Sequence, residues 1–335
     1  MQQLKISHAH VSLKRSSLTM LNNICAPFTC HVPIYHATFP AKPSDMNNGL
    51  HNVTPVALKS QLDWYSRHFD LVDADQLVQH PNPSGKASIT FDDAYTSVFD
   101  YALPMLIEMK IPATVFIVGC SLDGKTFWRD KIRYLINNEL VEDFLFFLKN
   151  SKALEIDAGT FYRKSKSAGI SSVLLDNAMD DYFKINSHRG SLKVDNYCIN
   201  DSTKLIRHPL IRYGNHTYNH YVLPSLTRDQ QRSEILKTEK LLDSLNLNRS
   251  RLFSLPFGGL HYADFHTLSV IKELKFSGIL INGKQLHWGK LKFLEPGLPM
   301  IQRYIAPTDM DHFHRGIFSM AVAPIRKKNS TNSER

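Results

Sequence analysis

The run ASITFDD at residues 87–93, followed by AYTSVFDYALPMLIEMK (94–110) and then ATVFIV (113–118), decides the fold class. Residues 87–91 form an apolar run of strand length that stops abruptly at two carboxylates, Asp92 and Asp93. The spacing predicts a helix through Leu106 and Met109 and a second buried strand over 113–118. Strand, helix and strand in that order make a βαβ unit, which needs a parallel sheet covered by helices.

The same alternation extends outward in both directions. Upstream, HVPIYHAT (31–38) reads as a strand, and Thr54 before Pro55 gives a cap and first helical position for a helix reaching His68. Residues 69–72 read as a further strand, and Pro81, Pro83 and Gly85 mark the loop that follows. Downstream, strands are expected at 210–213, 252–255, 278–281 and 300–305, with helices after Thr227 and across 263–274. Thr227 and Gln230 form a capping-box pair. The repeated units imply an α/β sheet or barrel. Residues 121–205 break the pattern: 128–148 is helical and the remainder mixed, so the stretch reads as a mostly helical insertion. Residues 1–30 lack periodicity and read as a loosely packed lead-in, and 321–335 as a polar tail, frayed from Arg326 onward.

Bulk composition sets the outer limits. The chain has 335 residues, 43% hydrophobic and 21% charged, which is ordinary for a globular protein with a sizeable core. No apolar run approaches the ~18 to 20 residues of a membrane-spanning helix. The first residues carry Lys5, Lys14 and Arg15 without the apolar run of a secretory leader, so a cytoplasmic location is expected. Cys25, Cys30, Cys120 and Cys198 have neither zinc-site spacing nor disulfide density. Forty Lys and Arg against 31 Asp and Glu give a net charge of +9. These basic residues are dispersed, with no nucleic-acid-binding signature, so nucleic acid is excluded as a partner. Peripheral contact with an anionic membrane fits the charge. No protein partner is indicated.

Three segments carry chemistry. Taken alone, Asp92-Asp93 reads as a helix N-cap pair. As strand-end residues, however, the two side chains leave in different directions, so one can hold an ion while its neighbour approaches from another angle. The second segment is GNHTYNH (214–220), where His216 and His220 stand four apart and can converge from a helix or a tight turn. Two histidines and a carboxylate form a ligand set used by catalytic zinc. The third, FSLPFGG (253–259), is a strand end with Pro256, Phe257 and Gly258 in a loop suited to presenting backbone N–H groups to an oxyanion.

In their order and intervals these segments resemble the polysaccharide deacetylase family, the NodB-homology domain of carbohydrate esterases. TFDD at 90–93 matches its first motif, HTYNH at 216–220 its second and SLPFG at 254–258 its third. The lead VPIYH and the helix TPVALKSQLDWYSRHF also resemble the family, and the likeness spans roughly 31–310. It implies a distorted (β/α)7-type barrel over 31–320, with the helical insertion 121–205 within it. It further implies that Asp93, His216 and His220 hold a divalent metal, zinc first among the candidates, and that Asp92 is the catalytic base. An oxyanion would rest near Phe257, with Pro256 and Gly258 beside it.

Two departures follow. The arginine that opens the family's third motif is replaced by Ser254, and Arg303 in the late strand MIQRYI is the candidate to orient Asp92 instead. The late histidine that supplies the family's general acid has no clear counterpart; of His287, His312 and His314, His314 is taken as the candidate. The 123 residues from Asp93 to His216 resemble longer members associated with surface-polysaccharide or lipopolysaccharide assembly. The expected function is removal of an N-acetyl group from an amino sugar in a glycan or lipid-linked glycan precursor. A deformylase or other amide hydrolase on a lipid-linked amino sugar uses the same site, and a glycan-binding module that lost catalysis is the reading from another class.

Overall fold

The computed structural model describes residues 15–80, 82–152, 154–186 and 194–332. Its centre is a ring of seven parallel strands: β1 (Pro33–Tyr35), β2 (Ile89–Asp93), β3 (Ala113–Ile117), β4 (Ile211–Asn215), β5 (Arg249–Ser254), β6 (Gly278–Asn282) and β7 (Leu298–Ile305). Each pairs with the next, and β7 pairs with both β6 and β1, which closes the barrel. The (β/α)7-type barrel expected from the sequence is therefore the fold. All five residues of β2 and all five of β3 are buried, as strands covered on both faces require.

Local chemistry explains the surrounding elements. Helix α1 (Arg15–Cys25) precedes the barrel, and α2 (Pro55–His68) starts where Thr54 accepts a hydrogen bond from the Ala57 N–H. The Tyr35 hydroxyl donates to Gln61 Oε1 at 2.7 Å, tying α2 to β1. Helix α3 (Leu103–Glu108) joins β2 to β3. Within the insertion lie α4 (Trp128–Asn137), α5 (Val141–Lys152), α6 (Phe161–Lys164) and α7 (Ser172–Asn186). The single helix expected over 128–148 is two, separated where Glu139 takes a positive φ of 57°. Phe144 meets Phe161 and Tyr182 at ring distances of 5.9 and 5.5 Å, giving the insertion an aromatic centre of its own.

Helix α8 (Arg228–Ser244) begins at the Thr227–Gln230 capping box, with both reciprocal bonds formed. Helix α9 (Phe265–Glu273) starts at Asp264, and α10 (Met310–Asn332) ends the described chain. Two terminal expectations change. Residues 15–25 are helical rather than loose, and Asn22 Nδ2 donates to the His314 carbonyl of α10 at 2.9 Å. The backbone of α10 runs through Asn332, so the chain expected to fray from Arg326 onward is helical to that point. The strand expected at 69–72 is short, and Asp70–Leu71 pairs with Lys86–Ala87 outside the barrel. No helix among the described residues is long and apolar enough to cross a membrane.

Strand periodicity sets what lies above the barrel floor. Phe116, Leu252, Leu280 and Ile301, one from each of four strands, form a buried cluster with Val32 and Leu77. Two residues further along their own strands, and so on the same face, stand Ser254, Asn282 and Arg303. The floor needs Gly214: a Cβ there would meet Phe116 Cδ1 at 2.5 Å. Gly214→Ala is expected to destabilise the protein by about 1–3 kcal/mol through overpacking. Urea denaturation measures this, and an unchanged midpoint would contradict the packing described.

Candidate active site

The carboxyl ends of the strands open into a cleft of about 220 Å³, and the paired aspartates stand at its base. Arg303 holds Asp92 with two parallel bonds, Nη1 to Oδ1 at 2.9 Å and Nη2 to Oδ2 at 2.8 Å. Ser254 Oγ accepts from Arg303 Nη2 at 2.7 Å and itself donates toward both Asp92 oxygens at 3.2 Å. Arg303 is fully buried and Asp92 nearly so. Burial pushes the Asp92 carboxyl upward, but the charges of Arg303, His216 and His36 and the Arg303 hydrogen bonds together outweigh it and hold the group at about 2. Asp92 is thus an oriented carboxylate. The arginine missing from 254 is replaced in space by one from β7, and the serine serves as a hydrogen-bonding spacer between them.

The next residue leaves in another direction because the backbone turns. Asp93 and Ala94 adopt positive φ of 71° and 66°, which swings the Asp93 side chain toward β4. There His216 Nδ1 donates to the Ser254 carbonyl at 2.8 Å, which fixes the tautomer and leaves Nε2 with its lone pair. His216 Nε2 lies 3.6 Å from Asp93 Oδ1, and His220 Nε2 lies 3.7 Å from the same oxygen. HTYNH is a tight turn rather than a helix, with Thr217 and His220 at φ 63° and 60°. The turn is held by Asn215 Oδ1 accepting from the Thr217 N–H and Thr217 Oγ1 accepting from the His220 N–H. Five non-glycine residues around the site, Phe257 included, take left-handed φ; such strain concentrates where side-chain placement matters more than backbone comfort.

Donor atoms of Asp93, His216 and His220 lie within 4.8 Å of one another, and all three residues are buried. Asp93 Oδ1 has no hydrogen-bond partner among the described residues. Burial raises the Asp93 carboxyl to about 7, against the pull of Arg133. Ligands of a tetrahedral zinc ion sit about 3.4 Å apart, given bonds of about 2.1 Å. An orphaned buried oxygen flanked by two imidazole nitrogens at nearly that spacing fits a divalent cation.

The third segment bends over this group. A Cβ on Gly258 would meet Asn282 Cβ at 2.5 Å, so only glycine fits, and its N–H is already committed to the Leu255 carbonyl at 3.0 Å. The Phe257 N–H has no acceptor among the described residues, and its ring packs on His220 at 4.7 Å. Phe257 and Gly258 line the cleft; Pro256 is not among its lining residues. Of the three loop residues, Pro256 has no N–H and the Gly258 N–H is bonded, so only the Phe257 N–H is without an acceptor among the described residues.

The polysaccharide deacetylase family model matches residues 79–140 and 153–279, more than half of the chain, including Asp92, Asp93, His216 and His220. The chain belongs to the polysaccharide deacetylase family. No curated protein matches it in sequence. Among solved structures, the Streptococcus pyogenes deacetylase PplD, in complex with acetate, is similar with a TM-score of 0.52 and 14% identity, over 88% of this chain and 99% of its own. Bacillus anthracis BA0330, described with the polysaccharide deacetylases, gives 0.50 and 13% over 86% and 69%. IcaB of Ammonifex degensii gives 0.49 and 16% over 88% and 97%. At these identities the likeness concerns the fold.

As a polysaccharide deacetylase the chain is a hydrolase of glycan amides, and the remaining cleft residues gain interest. His314 is not among those lining the cleft: it is buried on α10, with its ring against Trp64 at 6.2 Å. His287 accepts from the Gln302 N–H at 2.8 Å, and His312 is exposed beside Asp309. None of the three histidines weighed for the general acid lines the cleft. His36 and His51 do. His51 Nε2 donates to the Ala306 carbonyl at 2.7 Å, so its Nδ1 is left to accept from His36 Nδ1 at 3.1 Å. His36 was legible as the polar residue closing the apolar run VPIY, the same position that Asp92 holds in its own strand. Arg129, Arg133, Tyr162 and Lys166 of the insertion also line the cleft. Arg129 and Arg133, four apart on α4, read from sequence as a solvated face, and Tyr162 and Lys166 fall in the mixed remainder of the insertion, which hid them.

Proposed function

We propose that this deacetylase removes the N-acetyl group from an amino sugar in a glycan or lipid-linked glycan precursor. Asp93, His216 and His220 would hold a divalent cation, zinc by the character of two imidazoles and one carboxylate. Such a cation, when bound, supplies Lewis acidity toward water and the acyl oxygen. The observation that carries the reading is the convergence of these three residues beside a carboxylate, Asp92, that Arg303 keeps ionised and oriented.

In this reading Asp92 takes a proton from the attacking water, and Arg303 and Ser254 keep its lone pairs aimed at that water. The Phe257 N–H donates to the oxygen that becomes negative. His36, with its Nδ1–H donated to His51, has a lone pair on Nε2; it would take up the proton that Asp92 removes from water and pass it to the departing amine, which returns both groups to their starting state. Burial holds the His36 imidazolium well below its usual range, so once protonated it releases its proton readily. The products are acetate and a free amine. Residues 31–320 would form the catalytic barrel, with 121–205 as an inserted wall of its cleft, 1–30 as a lead-in and 321–335 as a tail. Peripheral contact with an anionic membrane bearing the precursor accords with the +9 net charge.

Acetate release from N-acetylated oligosaccharides by the purified protein, with and without a chelator, tests the proposal. Chelator-sensitive acetate is expected; none from any acetamido sugar would sink it, and formate from an N-formyl sugar alone would favour the deformylase. His36→Ala is expected to lower kcat by about 10²-fold or more while metal content stays constant. An unaltered kcat would remove His36 from the mechanism.

A further inference from the structure

Beyond the acyl-transfer centre, the insertion brings unbalanced positive charge into the same cleft. Arg129 is 2% exposed, yet its Nη1 donates to the neutral Ser165 hydroxyl, at 2.8 Å, and no carboxylate is paired with it among the described residues. Its Nη2 is buried with no partner among the described residues. Aromatic rings surround the guanidinium: Trp128, Tyr162 and Phe257 have centroids 4.7, 5.2 and 5.5 Å from Cζ. One turn further along α4, Arg133 is matched by Asp130 at 2.6 Å, so it needs no other anion. Lys166 adds a second unmatched cation, with Nζ 4.0 Å from the Tyr162 ring centre and no carboxylate paired with it among the described residues. The Tyr162 phenol reports the local field: burial opposes its ionisation, yet Arg133, Arg129 and Lys166 draw it down to about 8.

A buried guanidinium with an open nitrogen and no counter-charge is costly, and packing alone would be served as well by an apolar side chain. Its fork suits a phosphate or carboxylate held by two oxygens. The Phe257 ring touches His220 on one side and Arg129 on the other, at 4.7 and 5.5 Å. The two sites are therefore separated by one aromatic ring, about the reach of a single sugar residue. We propose that Arg129 and Lys166, with Tyr162, form an oxyanion subsite, and that the sugar unit deacetylated here, or its immediate neighbour, carries a phosphate or carboxylate. This specificity rests on the deacetylase reading above; the subsite itself does not.

The test is calorimetric binding to the metal-loaded Asp92→Asn protein, in which turnover does not intrude. Three probes are used: N-acetylglucosamine, its 1-phosphate, and the corresponding 6-carboxylate sugar. At least one charged probe is expected to bind about tenfold more tightly than the neutral sugar, and the stronger of the two identifies the anion. Lys166→Gln, at a half-buried position, and Arg129→Gln are each expected to reduce that preference severalfold. Equal affinity for all three probes, or a preference that survives both substitutions, overturns the proposal. A preference lost on substitution, with no acetate released from any glycan by the wild-type protein, leaves the subsite standing and refutes the deacetylase reading instead.

Discussion

Asp92→Asn is expected to reduce acetate release by about 10³-fold or more, with the metal content of the purified protein nearly unchanged. A loss of that size corresponds to about 4 kcal/mol of transition-state stabilisation. The amide is isosteric, and its oxygen still accepts from Arg303, so the fully buried guanidinium keeps one of the two bonds it makes at 2.9 and 2.8 Å. What disappears is the basic oxygen, because an amide does not take a proton from water at neutral pH. Asp93, His216 and His220 are untouched, which is why metal content is the discriminating measurement. Full activity in Asp92→Asn would show the assigned mechanism to be wrong, whereas loss of both metal and activity would make Asp92 a ligand. The carboxylate also contributes to stability: its folded value near 2 lies below the usual value near 4, so the contribution is present above about pH 4 and fades as pH falls toward 2. The acid limb of unfolding should therefore be shallower in Asp92→Asn, as pH-dependent circular dichroism would reveal.

His216→Ala is expected to lose both metal and turnover. The imidazole has two tasks, with Nδ1 anchored on the Ser254 carbonyl at 2.8 Å and Nε2 held 3.6 Å from Asp93 Oδ1. Alanine removes one of three protein ligands and leaves the Ser254 carbonyl without its partner. Since a bound cation stabilises only the folded state, chelator should lower the melting temperature of the wild-type protein and leave that of His216→Ala unmoved. Atomic absorption of the purified variants and a thermal melt with and without chelator measure both effects. Wild-type metal stoichiometry in His216→Ala would exclude the residue from the ligand set.

Much of this site is legible in one dimension because strands expose their last residues at the barrel mouth. An apolar run that stops at a polar residue marks such a position, and Asp92 and Asp93 obey it, whereas His216 follows the mixed strand IRYGN and is marked instead by His220 four residues on. The same rule applied to VPIYH points to His36. The expected alternation of strands and helices also survives into the structure, from the Thr54 cap to the Thr227–Gln230 capping box, because caps and periodicity act within a few residues.

What the sequence determined by itself was therefore local: the strands, the strand-end carboxylates and the two histidines four apart. The tertiary structure decided which distant side chains meet them. Arg303 stands 211 residues from Asp92 in the chain and reaches it only because β7 closes the ring between β6 and β1. His314, further still along the chain, is carried to the α1–α2 side by the helix that follows the same strand. Arg129 and Lys166 enter the cleft only because the insertion folds back over the barrel mouth, which buries Arg129, a charge whose spacing to Arg133 on α4 reads as a solvated face. Periodicity assigns each residue a face within its own element, whereas barrel closure and the docking of the insertion determine what that face meets.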